Sequence, residues 1–385
     1  MTTDSTPYDV VVVGGGIQGA GIALAAQKVG YSVLLVEKNT WASATSSKSS
    51  KLIHGGLRYL QTGQIKLVYE CLQERQWMLD AVPDLVKPNW FYLPVYRNSH
   101  YPAWKLYCGL WLYRLLAGRS PYATFKTIPQ SQWSQLAGLK QEQLKTVFAY
   151  QDAQTDDAQL TQRAVETLIN NGGQAWEYTE LIQGKVGAEG YQLQLQKRQQ
   201  FCPVSAKIVV NAAGPWVNDV LDRLTESAPN LPIDLVQGSH LVVAPQLSNE
   251  CFYLQAPQDN RAVFCLPWKQ STLVGTTELI HQGAPETATV TPQEIDYLTA
   301  VVKHYFPDYT FTVTEQFCGL RVLPQSTEKA FSRPRDTLLE THGNIISVYG
   351  GKLTGWRATA IKTLKLIDKL LQKESRFDFD KLLQD

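Results

Sequence analysis

Three glycines near the start of the chain have the spacing of a dinucleotide-binding turn. Gly14, Gly16 and Gly19 satisfy the pattern G-x-G-x-x-G directly after a short β-branched run. Glycine at these positions permits a tight turn, lets the backbone approach a pyrophosphate and lets a helix pack closely on a strand. Glu37 lies 23 residues after Gly14, where a carboxylate accepts hydrogen bonds from the hydroxyls of an adenosine ribose. These residues predict a site for FAD or NAD, whose adenosine ribose carries no phosphate.

A run of small hydroxyl residues follows the glycine turn at 42–51. It contains Lys48 and Lys51, so it offers many hydrogen-bond donors to a pyrophosphate and a ribityl chain. A flexible Ser-rich linker is the alternative, but the apolar and glycine-containing segment 52–56 follows at once. The run and the N-terminal position of the glycine motif together favour FAD.

The elements that position these residues form a βαβ unit at the start of the chain. Residues 8–13 are a β-branched run, 17–29 an Ala-rich helical stretch, and 32–38 a second apolar run. A further helix ends at Pro83, because proline cannot continue a helical hydrogen-bond ladder. Its predicted apolar face consists of Ile65, Val68, Leu72, Leu79 and Val82.

Later segments alternate in pattern without an internal repeat. Residues 157–171 predict a helix, 207–212 a buried strand, and 234–277 an antiparallel sheet. The sheet interrupts the nucleotide-binding pattern. We therefore expect two interleaved structural units.

Composition excludes several classes of protein. Lys plus Arg number 36 against 35 Asp plus Glu, so no global positive field attracts nucleic acid. Six cysteines without a C-x-x-C pair argue against a metal site and against a disulfide framework. No signal core and no run of roughly 18 apolar residues occurs. The sequence predicts a cytoplasmic protein, or one peripheral on the cytoplasmic face of a membrane.

Short motifs spread over nearly the whole chain carry a family resemblance. They lie at 45–60, 150–152, 156–157, 209–216, 238–240, 266–268, 275–277, 319–321 and 350–354. In this order and with these residues, the chain resembles the flavin-dependent glycerol-3-phosphate dehydrogenases and oxidases. Two departures stand out: Ala213 replaces a usual Thr, and Gly355 with Trp356 replaces Thr-Tyr. By the same resemblance we expect a short form that lacks the C-terminal helical domain of longer members.

The resemblance implies an α/β fold of the D-amino-acid-oxidase type. A Rossmann-like FAD-binding domain (1–87, 150–225 and 328–385) is interleaved with an antiparallel-sheet substrate domain (88–149 and 226–327). The implied reaction oxidises sn-glycerol 3-phosphate to dihydroxyacetone phosphate, with electrons passing through FAD to a quinone, to dioxygen or to another acceptor. A homodimer or a partner subunit is compatible with this assignment.

The resemblance also assigns residues to the site. A phosphate monoester needs cations, and Arg58 with Tyr59, Arg321 and Lys352 are the substrate-binding candidates; unrelated surface cations are the alternative. Lys352 either binds a substrate oxygen, stabilises reduced flavin or does both, unless it only caps the following helix. The predicted cofactor contacts are Gly14, Gly16, Ile17, Gln18, Gly19, Glu37, Lys38, Thr45, Ser46, Ser47, Ser50, Lys51, Leu52, His54, Gly55, Gly56, Ala213, Gly214, Trp216, Gly351, Lys352, Leu353 and Thr354.

Oxidation of an alcohol also needs a base. A hydride leaves the carbinol carbon only as the hydroxyl proton is removed. His54 and His240 lie inside the matched motifs, and the sequence does not choose between them. Arg321 and Lys352 complete the predicted catalytic set. No G-x-S-x-G nucleophile motif occurs, which argues against hydrolase chemistry.

One aromatic stripe bears on membranes. Trp104, Tyr107, Trp111 and Leu115 recur at helical spacing. We favour a buried core or interdomain helix, with an interfacial membrane anchor as the alternative.

Two other functions remain open at the level of sequence. An FAD-dependent 2-hydroxyacid or amino-acid oxidase would keep the fold and use Arg58 or Arg321 to bind a carboxylate. A non-catalytic flavin-binding assembly subunit would keep the cofactor and lack turnover.

Overall fold

Eighteen strands build two sheets in the computed structural model, which describes residues 7–226, 229–325 and 337–384. In chain order the strands are β1 (Tyr8–Val13), β2 (Val33–Val36), β3 (Leu52–Ile53), β4 (Val86–Tyr96), β5 (Phe125–Ile128), β6 (Leu144–Thr155), β7 (Gln174–Trp176), β8 (Thr179–Gly187), β9 (Gly190–Lys197), β10 (Gln200–Asn211), β11 (Ile233–Ala244), β12 (Cys251–Gln255), β13 (Ala262–Trp268), β14 (Ser271–Gly275), β15 (Leu279–His281), β16 (Thr312–Pro324), β17 (Leu338–His342) and β18 (Ile345–Tyr349).

Seven α-helices connect or cover these strands in the described part of the chain. They are α1 (Ile17–Lys28), α2 (Ile65–Ala81), α3 (Ala103–Leu116), α4 (Asp157–Asn170), α5 (Val217–Asp222), α6 (Pro292–Tyr305) and α7 (Trp356–Leu371). Two of them begin at clear sequence signals. Asp156 accepts hydrogen bonds from the first backbone amides of α4, and Thr291 with Glu294 forms a capping box at α6.

The first sheet has the strand order β17-β18-β10-β1-β2-β7, with β9 and β8 added antiparallel beyond β10. Its central strands are parallel, and their registers align the carboxyl ends Val13, Val36 and Asn211. The β1 valines are buried, as expected for a parallel strand covered on both faces. The loops that follow these three strands therefore lie side by side at one edge.

The second sheet is mostly antiparallel, in the order β15-β11-β14-β13-β12-β4-β6-β3. β16 pairs along nearly the whole of β11, and β5 pairs with β6. Helix α6 packs on one face through Leu298, Val301 and Val302, which share a core with Phe252. The opposite face is left for the site.

The mixed α/β class is confirmed, as are the βαβ unit and the helix predicted at 157–171. The first sheet takes strands from 8–36, 174–211 and 338–349, whereas the short β3 belongs to the second sheet. The division into two domains remains a prediction, and its boundary at 327/328 lies outside the described residues.

Two predictions of burial are wrong. Ile65, at the first turn of α2, is 48% exposed, because α2 packs through Val68 and Leu72. In α3 the favoured interpretation of a buried aromatic stripe also fails: Trp104 is 70% and Leu115 74% exposed. That helix is held by its other face, through Leu110 and Tyr113.

Within the described residues, each helix is too short or too polar to traverse a bilayer.

Candidate functional site

A large cavity lies between the two sheets. Its empty space, counted out to the open mouth, is about 2510 Å³. One end is lined by the loops after β1, β2 and β10, and the other end by residues of β11, β12, β13 and β16. The aligned carboxyl ends of the parallel strands thus open toward the second sheet, which is where open α/β sheets bind ligands.

The glycine turn forms the first wall of this cavity. Gly14 has φ +114°, and a Cβ there would lie 2.4 Å from the carbonyl oxygen of Ala212. The Gly15 amide donates to Glu37 Oε2 at 2.7 Å, which holds the carboxylate at the edge of the sheet. Helix α1 begins at Ile17, so its N-terminal amides and positive dipole end face the cavity.

The segment 42–51 forms a strap from α1 to the second sheet. Ser46 Oγ accepts a hydrogen bond from the Ile17 amide at 2.9 Å, and Thr45 Oγ1 donates to the Leu320 carbonyl at 2.8 Å. Lys48 and Ser49 also line the cavity. The alternative of a flexible linker is therefore wrong.

Four predicted cofactor contacts lie outside the cavity lining: Gly19, Ser47, Lys51 and Gly55. A Cβ on Gly19 would lie 1.9 Å from the Gly14 carbonyl oxygen, so this glycine serves the packing of helix on strand. The Lys51 ammonium is buried, donates to the Ser47 carbonyl at 2.6 Å and pairs with Asp157. Lys51 therefore anchors the strap instead of facing a ligand.

The other predicted cofactor residues line the cavity, including Lys38, Ala213, Gly214 and Trp216 near the nucleotide end. The Lys38 ammonium lies 3.8 Å from the centre of the Trp216 ring and 3.2 Å from Glu286. Glu286 follows β15 of the second sheet, so this contact ties the two sheets together beside the cavity.

The segment 350–354 forms the wall opposite the strap. Gly351 has φ +111°, and the carbonyl of Lys352 accepts a hydrogen bond from Gln18 Nε2 at 3.0 Å. The Lys352 ammonium is buried and has no hydrogen-bond partner among the described residues. It lies 4.3 Å from the centre of the Tyr59 ring. A buried ammonium without an acceptor indicates a place for a polar ligand.

The predicted cations line one and the same cavity. Arg58, Tyr59 and Arg321 line the cavity together with Lys352. Arg321 lies 3.4 Å from Glu278 Oε1 and donates to Thr276 Oγ1 at 3.3 Å. The arrangement leaves a net positive charge beside the cavity, which favours an anionic ligand.

Glu278 and Arg261 extend this cluster beyond the lining. The Glu278 side chain is 4% exposed and also binds Arg261 Nη2 at 2.9 Å, so one buried carboxylate bridges two guanidinium groups. Sequence reasoning missed both residues. Arg261 belongs to no recognised motif, and Glu278 directly follows the matched block 275–277.

The two histidines differ in their surroundings. His240 is 2% exposed, is stacked on Phe317 and shares a hydrogen bond of 2.8 Å with Ser50 Oγ. Burial lowers the pKa of His240 from its ordinary 6.5 to about 3, and the charges of Arg321 and Lys51 act in the same direction. His240 is therefore a neutral imidazole at physiological pH.

His54 lies on the loop between the strap and Arg58. Its amide donates to Thr354 Oγ1 at 3.2 Å, and the residue lines the cavity. Tyr253 and Asp152 line the same cavity. No sequence motif pointed to Tyr253, whereas Asp152 belongs to the matched block 150–152 without an assigned role. No group of His, Cys, Asp and Glu within the described residues is suited to hold a metal ion.

The residues present fit FAD on two structural observations. The backbone cradle at Gly14 and Gly16 leaves no room for side chains, as close approach of a pyrophosphate requires. At the opposite wall, Lys352 Nζ and Gln18 Oε1 are buried without hydrogen-bond partners among the described residues.

Comparisons with known proteins agree with this geometry. The family model described as "FAD dependent oxidoreductase" matches residues 9–361. The chain is 36% identical to glycerol-3-phosphate dehydrogenase of Pseudomonas aeruginosa, over 93% of this chain and 71% of that protein. It is 32% identical to aerobic glycerol-3-phosphate dehydrogenase of Staphylococcus haemolyticus, over 97% of this chain and 69% of that protein.

Among solved structures, the glycerol-3-phosphate dehydrogenase of Bacillus halodurans complexed with FAD superimposes with a TM-score of 0.79 at 27% identity. The match covers 98% of this chain and 68% of that one. The glycine turn, the cavity and the match over most of the chain lead to one conclusion: the protein belongs to the family of FAD-dependent oxidoreductases.

Proposed function

We propose that this protein oxidises sn-glycerol 3-phosphate to dihydroxyacetone phosphate with FAD as its cofactor. The observation that carries the proposal is that Arg58, Arg321 and Lys352 line the same cavity as the dinucleotide cradle. The names of the relatives with 30–36% identity support the choice of substrate.

The phosphate group is bound by the guanidinium groups of Arg58 and Arg321. A phosphate monoester carries close to two negative charges, and a guanidinium fork can donate two parallel hydrogen bonds to it. Glu278 orients Arg321 from behind at 3.4 Å, and Tyr59 lies under both Arg58 and Lys352. This end of the cavity fixes where the alcohol carbon lies.

The hydroxyl proton passes to His54. FAD, when bound, accepts the hydride from the carbinol carbon, so the protein has to supply the base. His240 is the weaker candidate, because its pKa of about 3 makes it a poor proton acceptor and its Nε2 is engaged with Ser50. Lys352 donates a hydrogen bond to the developing carbonyl oxygen, because its buried ammonium has no other acceptor among the described residues.

A substrate panel tests the proposal against its closest rival. Steady-state kcat/KM is measured with a soluble dye acceptor for glycerol 3-phosphate, glycerol, lactate and glycine. The proposal predicts that glycerol 3-phosphate exceeds each of the others by at least about 100-fold, since none of the other three compounds brings a phosphate with close to two negative charges to the cations. A preference for lactate or glycine would replace the proposal with a 2-hydroxyacid or amino-acid oxidase. FAD binding without turnover of any compound would favour a non-catalytic subunit.

We also propose that electrons leave the protein toward a quinone at an anionic membrane surface, to which the exposed face of α3 docks. Trp104, Tyr107, Trp111 and Leu115 form one exposed stripe on that helix. Between Asp84 and Glu142 the sequence contains seven Lys or Arg and no carboxylate side chain. An apolar stripe within a cationic segment complements anionic headgroups over an acyl region.

Vesicles test this docking. The double variant Trp104→Ser with Leu115→Ser is compared with the wild-type protein and with Phe201→Ser, which removes a side chain 60% exposed on β10. We expect wild type and Phe201→Ser to sediment with phosphatidylglycerol vesicles and to reduce a quinone dissolved in them. The double variant loses both properties and keeps its activity with a soluble dye. Equal sedimentation of all three proteins would refute the docking face.

A further inference from the structure

A buried ionic cluster lies beneath the loop that carries His54. It consists of Arg75 from α2, Tyr113 from α3 and Asp152 from β6, which are 1%, 4% and 3% exposed. Arg75 pairs with Asp152 and donates to the Gln151 carbonyl at 2.9 Å. The Tyr113 hydroxyl lies 2.9 Å from both oxygens of Asp152.

The tyrosine in this cluster is the donor to Asp152. Burial first, and then the charge of Asp152, holds the pKa of Tyr113 well above its ordinary value, so the hydroxyl keeps its proton at any physiological pH. Burial also raises the pKa of Asp152, while Arg75 and the hydrogen bond from Tyr113 oppose that shift. Arg75 and Tyr113 together fix both carboxylate oxygens of Asp152.

Asp152 uses this fixed position to hold the backbone next to His54. Its Oδ1 accepts a hydrogen bond from the Gly55 amide at 3.3 Å, while the preceding amide of His54 donates to Thr354 Oγ1 at 3.2 Å. Two consecutive amides are thus held by different segments of the chain. The loop packs closely on Tyr113, since a Cβ on Gly55 would lie 2.5 Å from the Tyr113 hydroxyl.

Stability alone does not account for such a cluster. A buried ion pair loses much of its attraction to desolvation, and well-packed apolar residues in its place are often neutral or stabilising. The cluster also holds a backbone amide, that of Gly55, in addition to packing in the core. Asp152 lines the cavity itself.

We propose that Asp152 is a positioning residue, which through the Gly55 amide fixes His54 for proton removal, and that Arg75 and Tyr113 orient it. The proposal rests on the proposed function of His54 as the base. It adds these three residues to the machinery of the reaction. We expect none of them to contact substrate, and we expect their effect on the proton-transfer step.

Tyr113→Phe is the primary test because it removes one hydroxyl and keeps the ion pair. The matched control is Tyr96→Phe, which removes the buried hydroxyl that donates to the Lys140 carbonyl at 2.6 Å, away from the cavity. Asp152→Asn is the second variant. Each protein is loaded with FAD, and kcat, KM for glycerol 3-phosphate and hydrogen exchange of the Gly55 amide are measured.

We expect Tyr113→Phe to lower kcat roughly fivefold to tenfold, the effect of one hydrogen bond to a charged group, with KM changed less than about twofold. Exchange of the Gly55 amide becomes faster, and Tyr96→Phe alters neither quantity. If Asp152→Asn folds, we expect it to lower kcat further and to speed exchange of the Gly55 amide more than Tyr113→Phe does. If it does not fold, Tyr113→Phe decides alone.

Wild-type kcat and wild-type exchange in Tyr113→Phe would overturn the proposal. A lower melting temperature with unchanged kcat would also overturn it, because that result describes a purely structural cluster. Failure of the proposed function is recognised separately. In that case glycerol 3-phosphate does not reduce even the wild-type flavin, while the exchange measurement still reports whether Asp152 holds the loop.

Discussion

Arg321 combines a charge with a defined orientation. Its guanidinium is held between Glu278 and Thr276, and a Cβ on Gly238 would lie 2.3 Å from its Nη2. Gly238 is therefore required for the arginine to reach the cavity. The matched motifs include both Arg321 and Gly238. The contact between them joins two strands, so it follows only from the register of β11 with β16.

Arg321→Ala is expected to raise KM and lower kcat for glycerol 3-phosphate while FAD remains bound. Loss of a charge-assisted hydrogen bond corresponds to a decrease in kcat/KM of roughly 10- to 100-fold. Arg163→Ala, which removes a surface partner of Asp84, serves as the control. Wild-type kinetics in Arg321→Ala would contradict the assignment of this residue.

His240 gives a pH dependence of stability whose sign is fixed by its surroundings. Its pKa is about 3 in the folded chain and 6.5 when unperturbed, so the unfolded chain binds a proton at a higher pH. Its contribution to stability is complete above pH 6.5 and is lost as the pH falls toward 3. Between pH 7 and 5 the loss is on the order of 1–2 kcal/mol.

Denaturant unfolding of wild type and His240→Asn at pH 7 and pH 5 measures this contribution. The free energy of unfolding of the wild-type protein should decrease more over that interval than that of the variant. Parallel decreases in the two proteins would show that His240 does not keep a depressed pKa.

At the scale of elements, the strap 42–51 depends on the first residue of α4. Asp157 is buried and accepts hydrogen bonds from the Ser49 amide at 3.0 Å and the Ser49 hydroxyl at 2.6 Å, in addition to pairing with Lys51. An acidic residue in the first turn of a helix is favoured by the helix dipole. The strap is thus attached to the carboxyl end of β6 in two ways. Lys51 forms an ion pair with Asp157, and the Lys51 carbonyl accepts a hydrogen bond from the Thr155 amide.

Asp157→Asn is expected to destabilise the protein by about 3 kcal/mol, because the Lys51 ammonium stays buried without its partner. FAD affinity should fall with it, since the strap lines the cofactor end of the cavity. The control is the neighbouring Asp156→Asn, because asparagine caps a helix as well as aspartate does. Urea unfolding and FAD titration of both variants check the prediction; equal behaviour of the two would contradict it.

The elements that local pattern can specify were predicted well. The glycine turn, α1, β2 and Glu37 are contiguous in sequence, and helix α4 has a clear apolar periodicity behind Asp156. The aromatic stripe of α3 was assigned to the wrong surroundings, because periodicity identifies a face without saying what covers it. Lys51 was misassigned for a related reason: its partner Asp157 is 106 residues away.

At the scale of the whole molecule, the site is assembled from segments distant in sequence. Gln18 contacts Lys352 across 334 residues, and the His54 amide contacts Thr354 across 300. The family motifs predicted that these segments meet. The pairing of β4 with both β6 and β12, which places Asp152 and Tyr253 at the cavity, had no local signal because it depends on non-local strand pairing.

We propose that Arg58, Arg321 and Lys352 hold an anionic alcohol beside bound flavin. The most direct measurement is the visible spectrum of the purified, FAD-loaded protein before and after anaerobic addition of sn-glycerol 3-phosphate. We expect this compound to bleach the yellow flavin band, and we expect the band to persist with unphosphorylated glycerol. A protein that binds no FAD, or whose flavin remains oxidised in the presence of glycerol 3-phosphate, would contradict it.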